Sequence, residues 1–205
     1  MNPELVRAWV AGWVVSRQAP EPVVEPWGLR VDVGLPGHVA RHILPNPDPS
    51  TVRDLAAAIR NPGTWLKICA PVDEVAELLP AGWVVQEPEY MMTAALRRVP
   101  VAAPGTYQLA VTSRADVTTA RLLTPEGEIA ARGQIAVAGR AAVVDQVETA
   151  PAHRRRGLGR TIMTALMSSA AARTGVLVAT PVGEALYRTL GWSRVSEVTA
   201  AVYRP

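Results

Sequence analysis

Between Gln146 and Ile162 the chain reads QVETAPAHRRRGLGRTI, a β-patterned run joined to a helix through a turn rich in arginine and glycine. Few architectures accommodate such a junction. Val143, Val144 and Val147 favour an extended strand, Pro151 stops it, and Gly157 and Gly159 let the backbone bend without a Cβ in the way. The amide N–H groups of such a bend can face an anion. The helix that follows adds its own unpaired N–H groups and the positive end of its dipole, so a pyrophosphate placed here needs no side-chain cage.

Other phosphate loops fit this junction poorly. A Walker loop places Lys and Ser or Thr directly after its last glycine, whereas Arg160 and Thr161 follow a glycine spacing that is too short. A dinucleotide fingerprint wants a third small residue where Ile162 stands. The spacing of Arg154, Gly157 and Gly159, preceded by Pro151, instead resembles the R-x-x-G-x-G acyl-CoA signature of the GNAT superfamily of N-acetyltransferases. A basic turn opening an ordinary surface helix is the plain alternative.

The order of elements strengthens that resemblance. Pattern and turn residues predict a strand over Tyr107–Leu123, a turn at Pro125–Gly127, strands over Glu128–Val137 and Ala141–Thr149, and a helix over Gly159–Ala172. A strand over Val176–Thr180, a short helix over Val182–Thr189 and an extended Trp192–Tyr203 follow. EALYRTLGW resembles the family's final motif, a helix bearing a Tyr that ends at Gly and an aromatic residue. The resemblance implies an α/β fold with a mixed, mostly antiparallel central sheet flanked by helices. A break at Arg97–Gly105, with two prolines and a glycine, divides the chain into an N-terminal α/β lobe at 1–99 and an acetyltransferase core at 100–205. CAPVDEVAELLPAGWVVQEPEYMMTAAL also resembles ATPVGEALYRTLGWSRVSEVTAAVYRP, so the first lobe reads as a degenerate copy without a phosphate cradle, or as a coincidence of common α/β patterns.

Composition restricts the partners. The 205 residues carry a formal net charge of +3, and the only long basic run is Arg154, Arg155 and Arg156. No DNA-reading module or aromatic interleaving accompanies it, so nucleic acid is not the expected partner. Charged residues and prolines interrupt every apolar run before membrane-spanning length, and Arg17 and Pro20 break up the apolar N-terminus. A cytoplasmic protein with no membrane partner is expected. The single cysteine, Cys69, sits in the apolar run TWLKICA and reads as a buried thiol. His38 and His42 are flanked by glycines and prolines that argue against a helix. They read as surface or loop histidines, and no metal site is expected.

The resemblance also assigns chemistry. Val147, Glu148 and Thr149 match the strand whose backbone pairs with the pantetheine arm of acetyl-CoA, the expected cosubstrate. Arg154, Arg155, Arg156, Gly157, Leu158, Gly159 and Arg160 match the turn that binds its pyrophosphate. Tyr187 matches the phenol that protonates the departing thiolate, unless it is only a half-buried aromatic. Transfer to an amine acceptor also needs a base. Asp145 and Glu148 are the candidates, because the strand position that bears a Glu in some family members is Val143 here. Strand alternation would put Asp145, Val147 and Thr149 on one face and Gln146 and Glu148 on the other. The unassigned base leaves a non-catalytic acyl-CoA-binding regulatory module as the alternative. The family's two helices between its first and second strands have no room in Tyr107–Leu123. A pocket wall then has to come from the N-terminal lobe, with Trp27, Trp65 or Trp83, or from a second subunit of a homodimer.

Overall fold

A computed structural model describes residues 1–205. Helix α1 spans Pro3–Arg17: Asn2 caps it by accepting the Glu4 N–H, Pro3 pre-sets its first turn, and Gln18 ends it at a φ of 51°. Its buried Val6, Trp9, Val10, Trp13 and Val14 recur at three- and four-residue spacing, which makes one apolar stripe. Strands β1 (Val23–Glu25), β2 (Gly28–Leu35) and β3 (His38–Leu44) lead into helix α2 (Pro49–Ala58) and strand β4 (Thr64–Ile68). A one-turn helix α3 (Val72–Val75) and strands β5 (Trp83–Val85) and β6 (Glu89–Ala95) follow. Beyond these come β7 (Gln108–Arg114), β8 (Val117–Leu123), β9 (Ile129–Ala138), β10 (Ala141–Thr149), α4 (Leu158–Ser169), β11 (Thr174–Ala179), α5 (Pro181–Arg188) and β12 (Ser193–Tyr203).

Two local expectations are corrected. Tyr107–Leu123 is not one strand but the hairpin of β7 and β8, turned at Ala115 and Asp116 with Ala115 at a φ of 49°. No glycine or proline marks that turn, and an alanine held in the left-handed region carries no sequence signal. His38 and His42 are neither loop nor surface residues: they begin and continue β3, both half-buried, and His42 stacks on Trp27 with ring centroids 5.0 Å apart.

The strands form one twelve-stranded sheet in the order β1-β2-β3-β4-β12-β6-β11-β10-β9-β8-β7, with β5 joined to β12 off that path. Only β3–β4 and β10–β11 are parallel. The sheet is thus mixed, mostly antiparallel and flanked by helices. Its order is nearly symmetric about the β12–β6 pair, four strands on one side and five on the other, with a strand–helix–strand unit on each side, β3–α2–β4 and β10–α4–β11. β12 pairs with β6 through Ser193–Val198 and then with β4 through Thr199–Val202. β6 in turn lies between β12 and β11. Each half of the chain therefore completes its sheet with the last strand of the other.

Three apolar clusters hold the layers together. Leu158, Ile162, Met163 and Leu166 of α4 pack with Leu122, Ile135 and Leu177 on one sheet face. α2 packs Val52 and Ala56 against Leu44, Leu66 and Ile68. On the opposite face α1 covers Val31, Ile43 and Cys69 from the first half together with Val143 and Val176 from the second. Burial pushes the Cys69 thiol up to about 12. No helix is long and apolar enough to cross a membrane.

Candidate active site

β10 and β11 are paired only from Ala141–Val143 to Thr174–Val176, although β10 continues to Thr149 and β11 to Ala179. The strands part at the point where β10 bulges. Its pairing with β9 slips between Asp145 and Glu148, and Gln146 takes a φ of 54° to absorb the extra residue. Beyond the bulge, the β10 edge at Val147–Thr149 faces a cleft of about 1080 Å³ instead of a neighbouring strand.

The bulge overturns the expected alternation. Asp145 reaches α1, whereas Val147 packs with the α4 cluster, so these two lie on opposite faces. Glu148 pairs with Arg132 of β9, and Gln134, two residues further along β9, donates to Ser16 of α1. Asp145 and Glu148 therefore share the α1 face, because one inserted residue inverts every side chain after it.

At the far end of the cleft, Pro151–His153 form a 3-10 turn, Arg155 takes a φ of 62° and Gly157 a φ of 78°. Gly157 is the N-cap of α4 and provides no side-chain acceptor. The first helical bond runs from the Thr161 N–H to the Gly157 carbonyl (3.1 Å), which leaves the N–H groups of Leu158, Gly159 and Arg160 without a helical acceptor. Leu158, only 1% exposed, pins this turn into the core. A Cβ on Gly159 would lie 3.1 Å from Leu186 Cδ2, so glycine lets α4 approach α5. The result is a concave donor array at the positive end of a helix.

Of the sequence candidates, Val147, Glu148, Thr149, Arg154, Arg155, Gly157, Leu158, Gly159, Arg160 and Tyr187 line the cleft. Arg156 does not: its Nη1 donates to the Tyr107 hydroxyl (3.0 Å), which also shares a hydrogen bond with His153 Nδ1 (2.9 Å). Arg160 Nη2 donates to Thr189 Oγ1 (2.7 Å). Asp145 also lies outside the lining. Its carboxylate accepts from Arg17 Nε (2.5 Å), Arg17 Nη2 (2.9 Å) and Ser16 Oγ (3.0 Å), clamping the end of α1 to the bulge. Glu148 is more open, and its ion pair with Arg132 Nε (2.6 Å) is exposed.

The second cleft wall is α5, capped by Thr180, whose hydroxyl accepts the Gly183 N–H. Thr180, Val182, Gly183, Ala185 and Leu186 line it, and sequence reasoning had taken only Tyr187 from this helix. Ala185 and Leu186 fall within EALYRTLGW, whereas Thr180, Val182 and Gly183 precede it, and Leu186 meets α4 at Gly159. Tyr187 is 8% exposed, and Gly183 one turn earlier leaves room for its ring. Burial, aided by the charge of Asp145, pushes the phenol up to about 12, so it stays protonated at neutral pH.

The corresponding place in the first half has no cradle. Pro45 and Pro47 stand between β3 and α2 and Pro49 opens α2, and none of the three has an N–H group. The Asp48 carboxylate already accepts from the Thr51 N–H (3.0 Å) and the Ser50 hydroxyl (2.5 Å). A helix start so capped offers an anion nothing but a carboxylate.

Trp83 donates its Nε1 proton to the Ala56 carbonyl (3.1 Å) beside the α2 cluster, so it fills core and not pocket. Trp65 lies on the α1 face. No helix pair intervenes between β7 and β8, and the cover over β9 and β10 is α1, from the other end of the chain.

This fold agrees with the comparisons to known proteins. The sequence profile of the acetyltransferase (GNAT) family matches residues 73–192. The chain belongs to that family, whose members transfer acyl groups from CoA. A GCN5-related N-acetyltransferase from Kribbella flavida superposes with a TM-score of 0.68 at 18% identity, over 99% of this chain and 95% of that one. A protein from Novosphingobium aromaticivorans described as an acetyltransferase from the GNAT family gives 0.63 at 18% identity, with both chains covered completely (100%). A tandem GNAT protein from the clavulanic acid biosynthesis pathway gives 0.54 at 12% identity, over 74% of this chain and 67% of that one. A search of the curated proteins returns no match.

Proposed function

We propose that the protein transfers acetyl from acetyl-CoA to a primary amine. The observation that carries this reading is the parting of β10 from β11, which opens a cleft with the arginine–glycine cradle at one end and Tyr187 in its wall. The unpaired N–H groups of Leu158, Gly159 and Arg160 hold the pyrophosphate, with Arg154 and Arg155 beside it. The free edge of Val147–Thr149 gives hydrogen bonds to the pantetheine amides, drawing the thioester carbonyl toward the bulge. Attack by the neutral amine forms the C–N bond, the C–S bond breaks, and Tyr187 gives its proton to the departing thiolate. A phenol whose proton is held up to about 12 is available for that step across the whole physiological range.

Asp145 is saturated by Arg17 and Ser16, so Glu148, exposed and on the cleft, is the better placed carboxylate to accept the amine's proton through water. The location is cytoplasmic in this reading. The alternative of a non-catalytic acyl-CoA-binding module draws on Val143, which lies 1% exposed beneath α1 where some relatives carry a carboxylate. Tyr187→Phe separates the two. With an amine that releases thiol from acetyl-CoA, the variant is expected to lose about a hundredfold or more in kcat with acetyl-CoA affinity retained, the range for removing a positioned proton donor. Unchanged turnover would remove Tyr187 from the mechanism, and binding without thiol release from any amine would support the regulatory module.

A further inference from the structure

The acyl donor accounts for the cleft but not for a row of charged groups on the α1 face of the sheet. Arg41 of β3, Lys67 of β4, Glu89 of β6 and Asp145 of β10 each lie two residues from a member of the α1 core, namely Ile43, Cys69, Met91 and Val143. By strand alternation all four share that face. The pairing directions also make β3, β4 and β6 run one way and β10 the other. Two residues before the core on the first three strands is therefore the same sheet end as two residues after it on β10. That is the end at which β10 parts from β11.

Within this row nearly every charge is matched. Lys67, 4% exposed, pairs with Glu89 (Nζ to Oε2, 2.5 Å), and Arg17 pairs with Asp145. Burial, reinforced by Arg41, Lys67 and Arg17, drives the His38 imidazole down to about 4 and keeps it neutral. Arg41 is the exception. Its guanidinium lies over the Trp13 ring, 4.0 Å from the centroid, and it is near enough to Glu89, Arg17 and Asp145 to feel their charges. Yet its Nε is out of solvent with no hydrogen-bond partner, and both neighbouring carboxylates are engaged by other cations. A desolvated guanidinium whose Nε has no acceptor is costly, and the face of the Trp13 ring offsets only part of that cost. One unmatched guanidinium between the Trp13, His38 and Trp65 rings suits one monovalent, planar anion.

We propose that Arg41 binds the carboxylate of the acyl acceptor, so that the substrate is a small amine that also carries a carboxylate, of the amino-acid class. This rests on the acetyltransferase reading above. The carboxylate would sit on Arg41 at the α1 face while the amine reaches the thioester at the β10 bulge, and Trp13 and Trp65 would contact the carbon skeleton.

The test compares the twenty amino acids with their carboxamides as acceptors, using wild-type protein and Arg41→Gln. Acetyl-CoA affinity and thermal midpoint are measured alongside. Wild type should favour the carboxylate form of its best acceptor by about tenfold or more in kcat/KM, the range for a charge-assisted hydrogen bond. Arg41→Gln should abolish the preference, leave acetyl-CoA affinity unchanged and not lower the thermal midpoint, because it removes an unmatched charge. Equal use of acid and amide by wild type overturns the inference, as does failure to acetylate any amino acid by a protein that binds acetyl-CoA. If acetyl-CoA itself does not bind, the acetyltransferase reading fails instead.

Discussion

Gly157 and Gly159 stand two positions apart in one turn and are glycines for different reasons. At Gly157 no atom lies within 4 Å of where a Cβ would go, but its φ of 78° is one that L residues rarely adopt. At Gly159 space is limiting, because Leu186 closes on it. Gly157→Val should reduce acetyl-CoA affinity about tenfold or more by calorimetry, since forcing a β-branched residue into left-handed geometry costs about 1–2 kcal/mol and tilts the cradle. Retained affinity would show that the cradle does not depend on that bend. The turn was legible in the sequence because its conformation selects glycine directly. The roles of Asp145 and Arg156 were not. Asp145 is fixed by Arg17, 128 positions away, and Arg156 is drawn off by Tyr107, 49 positions away. Only the folded chain brings these pairs together.

Among the elements, those with a regular repeat were the readable ones. β10 runs from Ala141 to Thr149 as expected, and α4, β11 and α5 lie within a few residues of their expected ends. The bulge at Gln146 was not readable, because neither glycine nor asparagine stands there to signal a positive φ. That single residue decides which face Glu148 takes. Helix α1 had the requisite spacing, but its task appears only in its contacts. Gly12 lets it approach β10 so closely that an added Cβ would lie 2.3 Å from Val143 Cγ2. In an ordinary helix Gly→Ala stabilises by about 1 kcal/mol. Here overpacking, about 1–3 kcal/mol, opposes that gain, so Gly12→Ala should lower the urea midpoint. Gly12→Ala combined with Val143→Ala should be less destabilised than the sum of the single changes. Additive losses would mean that helix and strand do not press on each other at this point.

For the molecule as a whole, the exchange of β6 and β12 sets the unit of folding. Residues 100–205 alone would lack β6, exposing the edge of β11 at Leu177 and Val178 and leaving the core beside them without Met92. The full chain should unfold in one calorimetric transition, with tryptophan fluorescence and acetyl-CoA binding lost together. The isolated 100–205 fragment should show no cooperative transition, and a sharp melt from it would contradict the shared unit. The nearly symmetric strand order was partly visible in the similarity of the two Pro-Val-x-Glu segments, but local patterns do not encode which strand pairs with which. There is also a consequence in time. Of all the strands, β12 leaves the ribosome last, and it takes the middle of the sheet between β4 and β6. The first half, although synthesised early, must wait with an open edge until β12 has been released.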